Sequence, residues 1–484
     1  MKNIFKSVSS LALIAAMCLA LGAVSCKKEK TQPPQALEIS FEKASYTITP
    51  GEDLEISFTV ANAGTAELKG SVTSSDATNY PAVLSDIEDG AGIITVTAPA
   101  IVLDEVSVTI TLDVKDEATS RETSKGVSVV SEESAVVTAA GKANSFIAPP
   151  GSLFKFSAFE GNSATEVSFA SVALVWQDTK GLVEGFIPDA TAGTIIVRLA
   201  EGVSGNALVA AKDAAGVILW SWHIWVTDFT PTTNSMVWTS GTDPAVTYTF
   251  MDRHLGATSN TVKDVSSNGL MYNWGRPTPF AAASYENALK DVYDMDGEVV
   301  PRTITANPAT TETPSNIQNA IQNPTVHFTG NSTNNYSWIG YDKTFVNAQD
   351  MWGMTAGTKS KYDPCPTGWK VPLIAAWAIW SDTNVTKTKV FTTTETTANA
   401  DFRGHTLTVG SNTYWFPAAG EIVVAGTFGS GIGGTSTWPC GKVWSATWEA
   451  ANTRAFATSI SPTSTSASGG ITSNYGLPVR CIAE

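Results

Sequence analysis

The chain has 484 residues, 43% of them hydrophobic and only 15% charged. That length supplies several cores and about three domains of ordinary size. Its formal net charge of −15 excludes a nucleic-acid partner, because phosphate binding needs a basic footprint. Abundant Thr, Asn and Gly beside aromatics suit an all-β secreted protein, in which Thr and aromatics favour strands and Gly and Asn supply turns.

At the N-terminus, Lys2 and Lys6 precede a short apolar run, Leu11 to Ala23. The run is too short for a comfortable membrane span and has the form of a signal peptide. Leu21-Gly22-Ala23-Val24-Ser25-Cys26 resembles a bacterial lipobox. The resemblance implies cleavage after residue 25 and acylation of Cys26, so that the membrane becomes a partner through the lipid. Each buried CH₂ of such a chain adds about 0.8 kcal/mol of membrane affinity. Lys27-Lys28-Glu29-Lys30 is similar to the tether of lipoproteins exported to the cell surface in the Bacteroidetes group. The expected location is therefore the outer membrane, facing outwards, with residues 26–36 as the tether.

From Leu37 the pattern is strand after strand. Leu54, Ile56, Phe58 and Val60 alternate with polar neighbours, as do Val106, Val108, Ile110, Leu112 and Val114. Period two puts one face in a core and the other in water. Pro50-Gly51, Asn62-Ala63-Gly64 and Asp89-Gly90 supply turns. Residues 37–133 contain neither Cys nor Trp and are expected to form an immunoglobulin-like sandwich, acting as a spacer or offering an edge strand to a partner.

Residues 134–229 are expected to form a second β-rich, sandwich-like domain. Gly205 to Val226 reads as a hairpin turning at Lys212-Asp213-Ala214-Ala215-Gly216. Alternation places Trp220, Trp222, Ile224 and Val226 on one face and Ser221, His223 and Trp225 on the other. A Trp-rich strand serves either as a sugar-stacking platform or, more often, as core on both sides. The same weighing makes His223 a packed histidine.

Residues 235–484 change character, with frequent Trp and long Ser/Thr/Asn/Gly stretches. Tyr362-Asp363-Pro364-Cys365-Pro366-Thr367-Gly368-Trp369-Lys370-Val371-Pro372 is a rigid irregular segment, because its prolines fix φ and remove donors. Leu373 to Trp380 follows as a short amphipathic helix with Trp377 and Trp380 on one face. Five cysteines reduce to three once Cys18 leaves with the signal and Cys26 is acylated: Cys365, Cys440 and Cys481. In an exported compartment disulfides persist, and three single pairings are open. The favoured one joins Cys365 to Cys481 and leaves Cys440 a buried free thiol.

Six stretches then occur in order: Met251–Ala257, Gly269–Arg276, Tyr362–Pro372, Tyr414–Gly420, Val443–Thr447 and Tyr475–Ile482. In this order they resemble the Fibrobacter succinogenes major paralogous domain carried by Bacteroidetes lipoproteins. His254 departs from the expected Asn in its motif. The Gly-Trp-x-Val-Pro run and the helix holding Trp377 are similar to an element of formylglycine-generating-enzyme-like proteins. That likeness implies a C-type-lectin-like α+β fold with long loops. A disulfide from the helix region to the final strand also fits that architecture.

The chemistry expected is non-catalytic. His223, His254, His327 and His405 lack the spacing of a zinc site, there is no Gly-x-Ser-x-Gly elbow, and Cys440 has no second cysteine nearby in sequence. Asp291, Asp294, Asp296, Gly297 and Glu298 crowd together, but Val292 breaks the spacing of a calcium loop, so a solvated acidic turn is expected. No catalytic residue, metal or cofactor is assigned. The expected activity is binding or adhesion at the cell surface to a glycan or surface protein. Trp274, Tyr336, Trp338, Trp352 and Trp438 are the ligand-facing candidates. A structural role in a surface appendage is the alternative, which ordered polymers of the purified protein would reveal. A formylglycine-generating-enzyme-like activity is a more distant reading.

Overall fold

The computed structural model describes residues 34–241, 244–284, 288–306, 314–329, 337–339, 350–354, 357–390, 404–429, 441–449, 454–460 and 465–484. The protein is mainly β and divides into two compact units, with the boundary between Ser134 and Ala135. Among the described residues no helix is long and apolar enough to cross a membrane. Cys26, its tether through residue 33, Tyr336, Trp438 and Cys440 lie outside the described residues.

Among its described residues the first unit contains eight strands: β1 (Glu38–Phe41), β2 (Ser45–Ile48), β3 (Asp53–Ala61), β4 (Leu68–Ser74), β5 (Ala82–Leu84), β6 (Ala91–Thr97), β7 (Val106–Asp116) and β8 (Arg121–Ser131). They form two sheets, ordered β1-β3-β6-β5 and β2-β8-β7-β4. Splitting the first two short strands between the sheets, with β2 running parallel to β8, is the arrangement of an immunoglobulin-like sandwich. The alternation read in the sequence explains it. Ile56, Phe58 and Val60 of β3 face Ile110, Leu112 and Val114 of β7 across one buried cluster, while their polar neighbours are exposed. The β7–β8 hairpin is closed by the buried carboxylate of Asp116, which accepts from Thr119 and from Arg121 Nη2 at 2.8 Å.

The second unit begins with eight more strands: β9 (Val136–Thr138), β10 (Ser145–Ala148), β11 (Leu153–Ser157), β12 (Ser171–Gln177), β13 (Val183–Asp189), β14 (Thr194–Leu199), β15 (Gly205–Lys212) and β16 (Ile218–Val226). Their sheets, β9-β11-β14-β13 and β10-β16-β15-β12, repeat the order of the first sandwich strand for strand. One difference is local: β9 runs parallel to β11, whereas β1 runs antiparallel to β3. The hairpin expected at Lys212–Gly216 is the β15–β16 connection. Asp213 Oδ1 accepts from Ala215 N and Val217 N, and Gly216 adopts φ 82°, a conformation glycine reaches without Cβ strain.

Residues 235–484 do not stand apart from this sandwich. Trp220, Trp222, Trp225 and Phe146 belong to the same buried cluster as Trp274, Trp352, Trp444, Leu477 and Val479. Both faces of β16 are therefore core, which settles the Trp-rich strand against a stacking platform. The helix α1 (Pro314–Gln322) packs across β16, contributing Ile317, Ala320 and Ile321. A second cluster gathers Met236, Trp238, Phe250, Trp377, Trp380 and Phe416. Ile374–Trp380 is a 3₁₀ helix rather than an α-helix. Three residues per turn eclipse positions i and i+3, so Trp377 and Trp380 still share the buried face that their spacing indicated.

Candidate functional site

The six ordered motifs converge in space as a hydrogen-bonded scaffold. Leu255 N donates to Val479 O at 2.8 Å and Met251 N to Cys481 O at 2.9 Å. Trp444 Nε1 donates to Tyr272 O at 2.7 Å and its backbone N to Pro478 O at 3.0 Å. Ala446 N reaches Pro372 O at 2.8 Å, and Arg480 Nη2 reaches Trp415 O at 2.7 Å. Cys365 and Cys481 are disulfide-bonded, with Cα atoms 6.0 Å apart. Within the rigid segment Asp363 accepts from Cys365 N at 2.8 Å and Val371 N at 2.9 Å. Lys359 Nζ donates to the carbonyls of Cys365, Pro366 and Trp369. Prolines 364, 366 and 372 leave the backbone short of donors; Lys359 supplies donors to the carbonyls, and Asp363 accepts from two N–H groups of the irregular segment.

The aromatic candidates are corrected by burial. Trp274, Trp338 and Trp352 are 0%, 2% and 1% exposed and face no ligand. Trp274 stacks on Trp448 at 4.6 Å between centroids and lies 6.0 Å from Trp352. Their indole N–H groups are consumed internally: Trp274 donates to Ser445 O, Trp338 to Trp274 O and Trp352 to Arg276 O. A buried indole needs such a partner, and the irregular backbone provides carbonyls for it. Tyr336 and Trp438 fall outside the described residues.

The described histidines are also interior. His223 sits in a buried chain that joins the sandwich to the motif region. Asn206 Nδ2 donates to Asp178 Oδ2 at 2.7 Å and to Gly256 O at 2.9 Å, which leaves Asn206 Oδ1 as the acceptor for His223 Nε2–H. His223 Nδ1 then accepts from Ser145 Oγ at 2.9 Å. This Ser–His pair is sealed from solvent. Asn144 performs a similar junction, accepting from Trp220 Nε1 and donating to Lys361 O and Asp363 O.

Burial pushes His223 and His327 down from 6.5 to about 3, and His254 also falls well below its ordinary value through burial and the Arg480 charge. An imidazole held neutral in the fold takes up its proton on unfolding. Its contribution to stability is whole above pH 6.5 and is lost as pH falls towards 3. Asp363, raised by burial to about 6, acts in the opposite sense, and so does Asp178. Stability should therefore decline from neutral pH into the acid range. In a His223→Gln variant the slope of unfolding free energy against pH should shrink by about one proton's worth near pH 5. Urea titrations across pH check this, and an unchanged slope would contradict it.

The acidic run is a hairpin rather than a cation loop. Tyr293 pairs with Val299, and Asp294 Oδ1 accepts from Asp296 N at 3.0 Å and Glu298 N at 2.9 Å. Gly297 takes φ 79° at the turn. Among the described residues no cluster of His, Cys, Asp or Glu could hold a metal. The hairpin docks on the free edge of β12, where Tyr293 and Gln177 exchange backbone hydrogen bonds of 2.8 and 2.9 Å. Covering an exposed strand edge in this way removes a site of unwanted pairing.

Beside this junction lies a pocket of about 400 Å³, near the lower end of the range for small-molecule sites. Trp176 of β12, Phe280, Leu289, Val292, Val300 and Phe428 give it apolar walls. The charged side chains in the lining are Lys290, Asp291 and Arg302. Desolvation lowers the pKa of Arg302 from its ordinary value. An open groove on the first unit lies around Lys69, Asp113, Lys115 and Glu122, whose mixed charges are those of a solvated face. The pocket is hard to read from the sequence because Lys290 and Asp291 sit at the edge of the acidic run and Arg302 lies outside it. The available signal was the apolar Leu289, Val292, Val299 and Val300 flanking a Gly turn.

No family model and no curated protein matches the chain. Solved structures it is similar to include titin domains Z1Z2 in complex with telethonin, at 14% identity over 40% of this chain and 98% of that one, with a TM-score of 0.17. Chicken VE-cadherin EC1-2 is 17% identical over 38% and 98%, with a TM-score of 0.15. Domains 5-6 of the S-layer protein SbsC are 18% identical over 40% and 99%, with a TM-score of 0.16.

Proposed function

We propose that the chain is a non-catalytic binding protein, lipid-anchored through Cys26 at the bacterial outer surface, whose ligand site is the pocket between β12 and the 291–300 hairpin. The observation that carries this reading is the pocket itself: apolar walls with a few charged groups, which is the composition of small-ligand sites. The resemblance of residues 235–484 to the Fibrobacter succinogenes major paralogous domain fits the same reading, because the resembling motifs serve as scaffold and leave ligand contact to other residues.

Two measurements on the full chain test the reading. Cys26→Ser should move the protein from the membrane fraction to the soluble one; retention in the membrane would contradict the anchor. Methyl resonances of Leu289, Val292 and Val300 should shift on addition of small apolar fragments, and Val300→Trp should abolish the shifts by filling the space. Shifts that survive Val300→Trp, or no shifts at all, would contradict the pocket as the site.

A further inference from the structure

The lining of this pocket contains a guanidinium whose hydrogen bonding is incomplete. Arg302 Nη1 is buried without a hydrogen-bond partner, and among the described residues Arg302 forms no ion pair. Its guanidinium carbon lies 6.0 Å from the Phe280 ring centroid. The adjacent His327 offers nothing to complete it, since both its ring nitrogens are also buried without partners. The contrast with Arg276, whose guanidinium spends its donors on four backbone carbonyls and Thr278 Oγ1, is informative. One arginine in this region is saturated by the protein and the other is not. A buried donor without a partner is costly, more so on a charged group, so the site favours a ligand that brings an acceptor.

Three features define that acceptor. A guanidinium pairs best with a planar two-oxygen anion, which it can grip through two parallel N–H···O bonds. With Lys290 and Arg302 against Asp291, the lining carries one net positive charge, which matches a ligand with a single negative charge. The Phe280, Leu289, Val292 and Phe428 walls require that the rest of the ligand be apolar. We infer that the pocket takes a small monocarboxylic acid with an aromatic or branched aliphatic body, its carboxylate held by Arg302. This deepens the proposed function and rests on the pocket being the binding site.

The test is a calorimetric titration of the full chain with 3-phenylpropionate and, separately, with its neutral amide. The acid should bind at least about tenfold more tightly than the amide, as expected when a charge-assisted pair is lost. Arg302→Met, which keeps much of the apolar stem, should weaken the acid far more than the amide and so remove most of the acid's preference. An unaltered thermal midpoint for the variant would separate this from a folding defect, and Arg302→Lys, which retains charge without the planar fork, should recover part of the preference. If acid and amide bind wild-type protein equally, the pocket stands as a site and the carboxylate assignment falls. If neither binds, both fall.

Discussion

Replacing Arg276 by methionine should destabilise residues 135–484 by about 3–5 kcal/mol. The side chain is buried and donates to Thr278 Oγ1 at 2.9 Å, Val326 O at 2.7 Å, Ala320 O at 3.1 Å, and Asn323 O and Pro324 O at 3.0 Å each. The Ala320, Asn323 and Pro324 carbonyls belong to the end of α1 and the turn after it, where a helix leaves acceptors unpaired, and Val326 opens the strand that follows. A cation at a helix C-terminus also complements the macrodipole. Burial lowers the Arg276 pKa to about 9, so the group stays charged at neutral pH. Methionine fills much of the volume and satisfies none of the acceptors. Lysine should recover only a part, because three donors on a flexible stem cannot span a fork of four carbonyls. Urea denaturation followed by tryptophan fluorescence measures the loss, and a loss under about 1 kcal/mol would show that water replaces the guanidinium.

The second large effect concerns the bridge. Cys365 and Cys481 are 116 residues apart in sequence, and closing a loop of that length restricts the unfolded chain by about 4–5 kcal/mol. Both cysteines are fully buried and carry backbone bonds of the scaffold, Cys365 N to Asp363 and Cys481 O from Met251 N. The double variant Cys365→Ala, Cys481→Ala should lose that amount, and a reductant should lower the thermal midpoint of the wild type but not of the variant. A wild type indifferent to reductant would show that the bridge adds nothing to stability.

How much of this was legible in the sequence differs by region, for physical reasons. The first sandwich was readable because each strand has one wet face: the alternation along β3 and β7 states the fold directly. The β15–β16 hairpin announced itself through Asp213 and Gly216, whose turn chemistry is local. The Cys365–Cys481 bridge is one of three pairings that the cysteine count alone leaves open. What could not be read is whatever depends on a second layer. Trp274, Trp338 and Trp352 carry no mark that separates a stacking platform from a core, because their burial comes from residues distant in sequence such as Ser445 and Arg276. The joining of 134–229 to 235–484 was hidden for the same reason. Asn144 and Asn206 carry no mark of that role in the sequence and prove to be the polar pins of that junction. Arg302 was passed over as a single charge outside any motif.

These pins and the shared cluster around Trp220, Trp274 and Trp444 make the second sandwich and the motif region one cooperative body, and the pocket exists only where they meet. Native-state hydrogen exchange on the full chain tests this most directly, comparing amides of β15 and β16 with those of Gly441–Glu449. Both sets should open with the same free energy, and Arg276→Met should lower both by the same amount although it touches neither strand. Protection of β15 and β16 that is untouched by the substitution would contradict the account.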